Sequence, residues 1–217
     1  MLTIRPANTD DLTAILRVED SWHEQGRASA DKFLARLEKF PQGFFLASMG
    51  DSHDQPVATI TSVPVYYQAD DVSDFSNWDT VTNNGYLHHV DLNACNALYI
   101  VSGVIDQRYR GQDIFAPMVL REVALAQALG LRYVLAGAVL PGYAKHCQKN
   151  GECAAHEYCS SRRGQHLLDP LLALYEALGF AVPDARHVIA DYFPDDASRN
   201  YAGLVVRDLH INPLLSC

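Results

Sequence analysis

The stretch ALYIVSGVIDQRYRGQDIFAPMVLREVALAQALG, residues 97–130, decides the fold. Its first nine residues are almost continuously apolar, which predicts a buried strand. Residues 116–130 have helical periodicity and end at a glycine, which predicts a helix with a glycine just past its end. Between the two lies the polar turn RYRGQD, residues 108–113. The sequence therefore predicts a strand that enters a helix through a short turn with one glycine.

This turn has the features of an anion site. The first amides of a helix have no intrahelical acceptor and, together with the helix dipole, attract a phosphate oxygen. Gly111 allows a ligand to approach the backbone, and Arg108 and Arg110 add positive charge. Asp113 is the exception, because its carboxylate either caps the helix or faces solvent. We favour the solvent-facing arrangement, which leaves the backbone amides available for the anion.

The N-terminal part predicts a strand, two helices and a hairpin. Residues 2–7 form the strand, Thr9 or Asp10 caps the first helix, and Ser29 opens the second. Residues 43–51 and 55–65 are predicted strands joined by a polar turn.

The C-terminal part predicts three strands, at 131–140, 185–193 and 201–209, and one helix at 169–180. Pro170 lies in the first turn of that helix and Gly179 past its end, and Leu174 and Leu178 are expected on its buried face. Residues 66–96 and 141–166 lack periodicity and are interpreted as insertions. A strand–helix–strand centre with antiparallel strands around it indicates an α/β fold.

The composition argues against two classes of partner, nucleic acid and membranes. The chain has 217 residues, of which 48% are hydrophobic and 20% charged, and this predicts a single domain over residues 1–217. A net charge of −9 argues against nucleic acid. The N-terminus is not that of a signal peptide, and no run approaches the ~20 apolar residues that span a bilayer, so we expect a cytoplasmic protein without membrane contact. Five cysteines, an odd number, indicate free thiols.

The turn, its flanking elements, the opening IRPANTDDLTAI and the later LYEALGF (residues 174–180) resemble the GNAT acyltransferase superfamily in type and order. The acyl-CoA pyrophosphate loop of that family reads Gln or Arg, two spacers, Gly, one spacer, then Gly or Ala. RYRGQD matches it except at Asp113. The resemblance implies a mixed, largely antiparallel sheet that splays at its central strands to admit acyl-CoA.

The resemblance also implies site residues. A backbone amide at Val104 or Ile105 would polarise the thioester carbonyl, and Tyr175 would protonate the leaving thiolate. The remaining contacts to acetyl-CoA, the implied co-substrate, would come from the loop residues Arg108, Arg110, Gly111, Gln112, Asp113 and Ile114.

The general base is less well defined. His88, His89 and Asp91 precede the central strand, and His89 paired with Asp91 would be a base at neutral pH. A solvated segment with ordinary histidines is the alternative, and in that case a water relay would take the proton. Trp22, Trp78 and Tyr143 are candidates for lining the acceptor cleft.

The predicted reaction is acetyl transfer from acetyl-CoA to a primary amine of a small molecule. Two subgroup resemblances bear on the acceptor. PGY and ADYFPDD resemble GNAT proteins associated with nitrilase-like domains, whereas the stretch SWHEQGRASADKFLARLEKFPQGFF resembles GNAT-like loading domains of polyketide assembly lines. The alternatives are therefore acyl loading of an acyl carrier protein thiol, or an acyl-CoA-binding module without catalysis.

Metal-ligand residue types also occur within the second insertion. The spacing between its cysteines is wider than the tight pairs of structural zinc sites, so we predict no metal. The residues concerned are His146, Cys147, Cys153, His156 and Cys159.

Overall fold

The computed structural model describes residues 1–22, 26–50 and 55–214. Nine strands lie within these residues: β1 (Leu2–Pro6), β2 (Phe44–Met49), β3 (Pro56–Val65), β4 (Ala97–Ile105), β5 (Tyr133–Val139), β6 (Arg162–Arg163), β7 (His166–Leu167), β8 (Val188–Ile189) and β9 (Ala202–Asp208). The α-helices of the same residues are α1 (Leu12–Glu19), α2 (Ala30–Lys39), α3 (Trp78–Thr82), α4 (Phe115–Ala128), α5 (Tyr143–Asn150), α6 (Ala155–Ser160) and α7 (Pro170–Ala177). The polar turn predicted between β2 and β3 falls mainly on residues 51–54, and Cys217 lies past residue 214; both are outside the described residues.

Seven strands form one sheet in the order β1-β2-β3-β4-β5-β9-β8. Every neighbouring pair is antiparallel except β4 and β5, which are parallel. The predicted mixed, largely antiparallel α/β sheet is confirmed.

The sheet separates two layers of helices. On β2, Phe44 and Leu46 pack with α1 and α2, whereas Phe45 and Ala47 belong to the larger core cluster that includes α4. Side chains of a strand alternate between faces, so α1 and α2 cover one face and α4 the other. The turn at residues 108–113 connects the end of β4 to the N-terminus of α4, so these two ends lie close together.

The predicted strand at 185–193 is mostly wrong, because only Val188–Ile189 pairs with β9. Asp184 caps a short 3-10 helix before it, and Asp191 has a φ of 51° after it. Both features turn the chain away from the sheet, so the ladder stops after two residues. The segment that follows carries Tyr192 inward instead.

In α7 the predicted positions of Pro170 and Gly179 are confirmed, but one predicted core position is not. Asp169 accepts hydrogen bonds from the amides of Leu171 and Leu172, and Gly179 has a φ of 78° past the helix end. Leu172 and Tyr175 are the buried residues, whereas Leu174 is 50% exposed. The expectation that Leu174 faces the core is wrong, because Tyr175 occupies that face.

The two segments without periodicity contain short elements. Residues 66–96 hold α3 and contribute buried Tyr67, Phe75 and Leu87 to the core, and residues 141–166 hold α5, α6 and the β6–β7 hairpin. No helix among the described residues is both long and apolar enough to cross a membrane.

Candidate functional site

The central strands of the sheet separate to form a fork. β4 and β5 pair only where Ala97–Ile100 meets Tyr133–Ala136. Beyond that point β4 continues to Ile105 against β3, and β5 continues to Val139 against β9. The backbones therefore diverge after Ile100 and leave a cleft in the middle of the sheet.

Alternation along β4 determines which backbone groups face the fork. The Asp106 amide donates to the Val57 carbonyl of the β3 side at 2.8 Å. Successive residues of an antiparallel strand direct their hydrogen-bonding groups to opposite sides. Val104 therefore faces β3, and Gly103 and Ile105 face the fork. Of the two amides that the sequence indicated, Ile105 has the orientation needed to meet a ligand in the cleft.

Gly103 shows that the cleft is open. Central strands of a sheet covered on both faces are normally buried, yet Gly103 is exposed while its neighbour Val104 is buried. A methyl group added at Gly103 would meet nothing closer than 3.8 Å. The fork is thus accessible two residues before the end of β4.

The fork leads into the loop after β4. Asp106, which is buried, caps a 3-10 helix at Gln107–Tyr109 and accepts from the Arg108 amide at 3.0 Å and from its guanidinium at 2.6 Å. This Arg108 contact holds the pKa of the Asp106 carboxyl below its usual range. Arg108 itself remains mostly exposed, so its charge is held in place at the surface of the loop.

The loop is also tied to the end of α1. The Ser21 hydroxyl accepts from the Gln107 amide at 3.1 Å, and the Ser21 carbonyl accepts from Arg110 at 2.9 Å. A side chain at Gly26 would overlap the indole of Trp22 and the ring of Phe193, so these two aromatic groups lie beside each other near the same end of α1.

The loop presents unpaired backbone donors. The Gln112 amide donates to the Tyr109 carbonyl at 3.3 Å, and helical bonding in α4 resumes with the Met118 amide. Between them, the amides of Asp113, Ile114 and Phe115 meet no acceptor within the described part of the chain. Gly111 has a φ of 80° and open space where a side chain would be. This arrangement suits an anion at the helix N-terminus.

Asp113 does not cap α4. The N-cap position is Ile114, which has no side-chain capping bond, and Asp113 is exposed with a φ of 53°. Aspartate tolerates this left-handed conformation better than most residues, although glycine adopts it without steric cost. The solvent-facing alternative is therefore the one that the structure has.

If CoA binds at this loop, as the family resemblance implies, replacing Asp113 with glycine is expected to tighten that binding by less than about tenfold, because the exposed carboxylate is largely screened by solvent. Asp113→Asn is the matched variant, since asparagine also tolerates a positive φ but removes the charge. Calorimetric titration of both variants with CoA checks the expectation. Equal gains identify charge as the cause, and a marked loss of affinity would show that the aspartate supports the loop.

Tyr175 lies between the loop and the fork. Its ring packs edge-on against Phe115, the first residue of α4, at 5.4 Å between centroids, and against Phe180 at 5.2 Å. Burial, and secondarily the nearby Tyr99, raise the pKa of the Tyr175 phenol well above its usual range. The phenol therefore keeps its proton at neutral pH and has no protein acceptor among the described residues.

The narrow end of the fork is the point where β4 and β5 separate. It contains aromatic residues whose position the sequence did not predict. Tyr99 of β4 and Tyr192 contact each other through their hydroxyls, and the Trp78 indole donates to the Val101 carbonyl at 2.8 Å. These residues are far apart in sequence and no local pattern connects them. Trp78, a candidate for lining the acceptor cleft, lies at this end of the fork.

The predicted base residues lie elsewhere. His89 and Asp91 line an open groove of about 440 Å³ together with Lys39–Gln42, next to the start of β2. This is the part of the sheet where β3 runs on toward Val65, opposite the end of β4 that enters the loop. Asp91 caps its own short turn by accepting from Asn93, and His88 contacts the Thr80 carbonyl at 2.9 Å. The structure does not bring these residues together with Tyr175.

The segment with metal-ligand residue types is held by other contacts. Tyr143 donates to the Cys153 carbonyl at 2.7 Å, and the sulfur atoms of Cys147 and Cys153 are 4.0 Å apart. Burial raises the pKa of the Cys159 thiol to about 12. Across residues 1–22, 26–50 and 55–214, no group of three or more His, Cys, Asp or Glu residues is arranged to hold a metal ion.

The architecture of this protein is similar to that of several solved structures. The loading GNATL domain of CurA from Lyngbya majuscula is 19% identical, with a TM-score of 0.78 over 98% of this chain and 100% of that chain. The GphF GNAT-like decarboxylase in complex with isobutyryl-CoA is 20% identical, with a TM-score of 0.78 over 95% and 99%. The ribosomal-protein-S18-alanine N-acetyltransferase from Escherichia coli is 15% identical, with a TM-score of 0.57 over 96% and 94%.

No protein-family model and no curated protein sequence matches the chain. The likeness is therefore one of overall architecture, which extends over nearly the whole chain. The fold of this protein is the GNAT fold.

Proposed function

We propose that this protein is an acyltransferase that uses acetyl-CoA. The observation that carries the proposal is the continuous path from the exposed backbone of Gly103 in the fork to the unpaired amides of Asp113–Phe115 at the start of α4. A thioester bound along this path would place its pyrophosphate on the loop and its pantetheine arm against β4. The isobutyryl-CoA named in the GphF structure supports a CoA thioester as the ligand of this fold.

The chain's own groups suit the chemistry of acyl transfer. The Ile105 and Gly103 amides face the fork and would donate to carbonyl oxygens there. An acceptor nucleophile attacks the thioester carbon, the carbon–sulfur bond breaks, and the leaving thiolate takes the proton of Tyr175. Water receives the acceptor's proton and returns one to the Tyr175 phenolate, which restores the phenol.

The acceptor has two candidates. A primary amine on a small molecule is favoured by the net charge of −9, which attracts cations. A carrier-protein thiol is favoured by the higher TM-score to the CurA loading domain, 0.78 against 0.57 for the S18-alanine N-acetyltransferase. A thiol, with a reference pKa of ~8.5, also ionises without a strong base more readily than an amine.

Radiolabelled acetyl-CoA distinguishes these acceptors. The protein is incubated with a panel of primary amines and, separately, with a carrier protein bearing the phosphopantetheine arm. Label on an amine supports the first acceptor, and label on the carrier that is released by hydroxylamine supports the second. Binding of CoA without transfer to either acceptor would indicate that the protein binds acyl-CoA but does not catalyse acyl transfer.

Replacing Gly111 with valine is expected to weaken CoA binding at least tenfold, which corresponds to about 1.4 kcal/mol. A β-branched residue is strained at a φ of 80° and fills the space that the pyrophosphate needs. Gly164→Val is the matched control, because Gly164 also has a positive φ with open space around it but lies in the β6–β7 turn. Calorimetry with CoA measures both. Unchanged affinity in Gly111→Val would refute the assignment of the loop.

A further inference from the structure

Tyr192 fills the narrow end of the fork. It is 3% exposed, although it belongs to an irregular segment rather than to a strand. A methyl group at Gly137 of β5 would overlap its phenol, so glycine at this position makes room for the ring. Its hydroxyl contacts that of Tyr99 on β4. Side chains stand perpendicular to a sheet, so the ring end of Tyr192 lies over Gly137, on the face to which Tyr99 also points, next to the place where the two strands separate.

Tyr192 is held in this position from both sides. Its amide donates to the Asn200 carbonyl at 2.8 Å, and its carbonyl accepts from the Trp78 amide at 2.9 Å. Trp78 is in turn attached to β4 through its indole and packs edge-on against Phe193 at 5.8 Å. Asp191, which precedes Tyr192, has a φ of 51° and directs the chain into the fork. Tyr192 and Trp78, which we call the aromatic barrier, are thus fixed in place by backbone and side-chain contacts.

The open part of the fork is short. Val101, whose carbonyl is occupied by Trp78, and exposed Gly103 are two residues apart, which is about 7 Å along a strand. An acyl group that entered at Gly103 and extended toward the point of strand separation would meet Trp78 and Tyr192 within that distance. A longer chain would run into the Trp78 indole on β4 and the Tyr192 ring over Gly137.

We propose that Tyr192, supported by Trp78, is a specificity-determining residue that restricts this protein to thioesters with short acyl chains. The proposal rests on the proposed function, because it assumes that an acyl-CoA occupies the fork. Shape sets the limit: the phenol ring occupies the volume that the distal carbons of a longer chain require. Acetyl fits in front of it, and each added methylene is pushed against a fixed ring.

Calorimetric titration with free CoA, acetyl-CoA, butyryl-CoA and hexanoyl-CoA tests the proposal. Wild-type protein is expected to bind acetyl-CoA at least about tenfold more tightly than hexanoyl-CoA, the order of discrimination that added methylenes give in a closed apolar pocket. In Tyr192→Ala this ratio is expected to fall below about threefold, with affinity for acetyl-CoA measured alongside. Tyr192→Phe, which retains the ring, separates ring volume from the hydroxyl contact.

Two further variants keep the test decisive. Tyr192→Leu keeps apolar bulk while shortening the side chain, and replaces Tyr192→Ala if circular dichroism shows that the alanine variant is unfolded. Tyr67→Leu changes another buried tyrosine, near Tyr133 at the start of β5, and controls for general loosening. Equal wild-type affinity for acetyl- and hexanoyl-CoA, or an unchanged ratio in a folded alanine or leucine variant, would overturn the proposal. Failure of wild type to bind free CoA would instead overturn the proposed function.

Discussion

Replacing Tyr175 with phenylalanine is expected to lower kcat about a hundredfold and to leave the affinity for acetyl-CoA nearly unchanged. The phenol is not needed to bind CoA, and it becomes important when the thiolate leaves. Its burial keeps it protonated at neutral pH, and its position between Phe115 and the fork places it beside the path of the thioester. The measurement is steady-state kinetics with whichever acceptor the labelling panel identifies.

The phenylalanine variant is expected to remain folded, because both ring contacts of Tyr175 are edge-on packing that phenylalanine also makes. Tyr67→Phe is the matched control: Tyr67 is also buried, but its hydroxyl contacts His187 at 2.9 Å far from the loop. The control should lose some stability and retain turnover. Unchanged kcat in folded Tyr175→Phe would remove this residue from the mechanism and leave water as the proton donor.

The parts of the site that sequence could predict are those built by contiguous residues. The strand, the glycine turn and α4 are consecutive, so periodicity and Gly111 were sufficient to predict these elements and their order. The same holds for α7, where Pro170 indicated the start and Gly179 the end. In these segments local propensity and the final fold agree, which is the condition under which a pattern in sequence is informative.

The barrier at the narrow end of the fork could not be predicted in this way. Tyr99, Gly137 and Tyr192 come from β4, from β5 and from an irregular segment, and only the strand order brings them together. Sequence reasoning also assigned Tyr192 to a strand, because alternating apolar residues resemble one. The position of His89 and Asp91 could not be predicted either: they are near β4 in sequence, but they lie at the other end of the sheet.

The second large effect is expected on stability, and it comes from a carboxyl group in the core that takes no part in the proposed reaction. Glu122 of α4 is fully buried, and its Oε2 accepts from the Ser62 hydroxyl at 2.7 Å. Its Oε1 has no partner among the described residues. Burial is the main cause that raises the pKa of this carboxyl to about 8, and the Ser62 bond and the charge of Arg121 oppose it only in part.

The sign of the pH dependence follows from this shift. In the unfolded chain the carboxyl loses its proton near the reference pKa of 4.5, whereas in the folded protein it keeps the proton until about pH 8. Between these values the folded state binds more protons, so the free energy of unfolding falls as pH rises, by at most about 1.4 kcal/mol per unit. Below about pH 4.5 both states are protonated, and the contribution no longer changes.

Glu122→Gln is therefore expected to be nearly as stable as wild type at about pH 5 and more stable by roughly 3 kcal/mol at about pH 8, because the neutral amide has no proton to lose. Urea unfolding of both proteins at intervals across this range gives the difference in the free energy of unfolding. Glu38→Gln, an exposed position on α2, is the matched control and should run parallel to wild type. Parallel curves for Glu122→Gln and wild type would show that Glu122 is ionised in the folded protein. In that case the buried charge must be compensated by a rearrangement around Ser62 and Arg121.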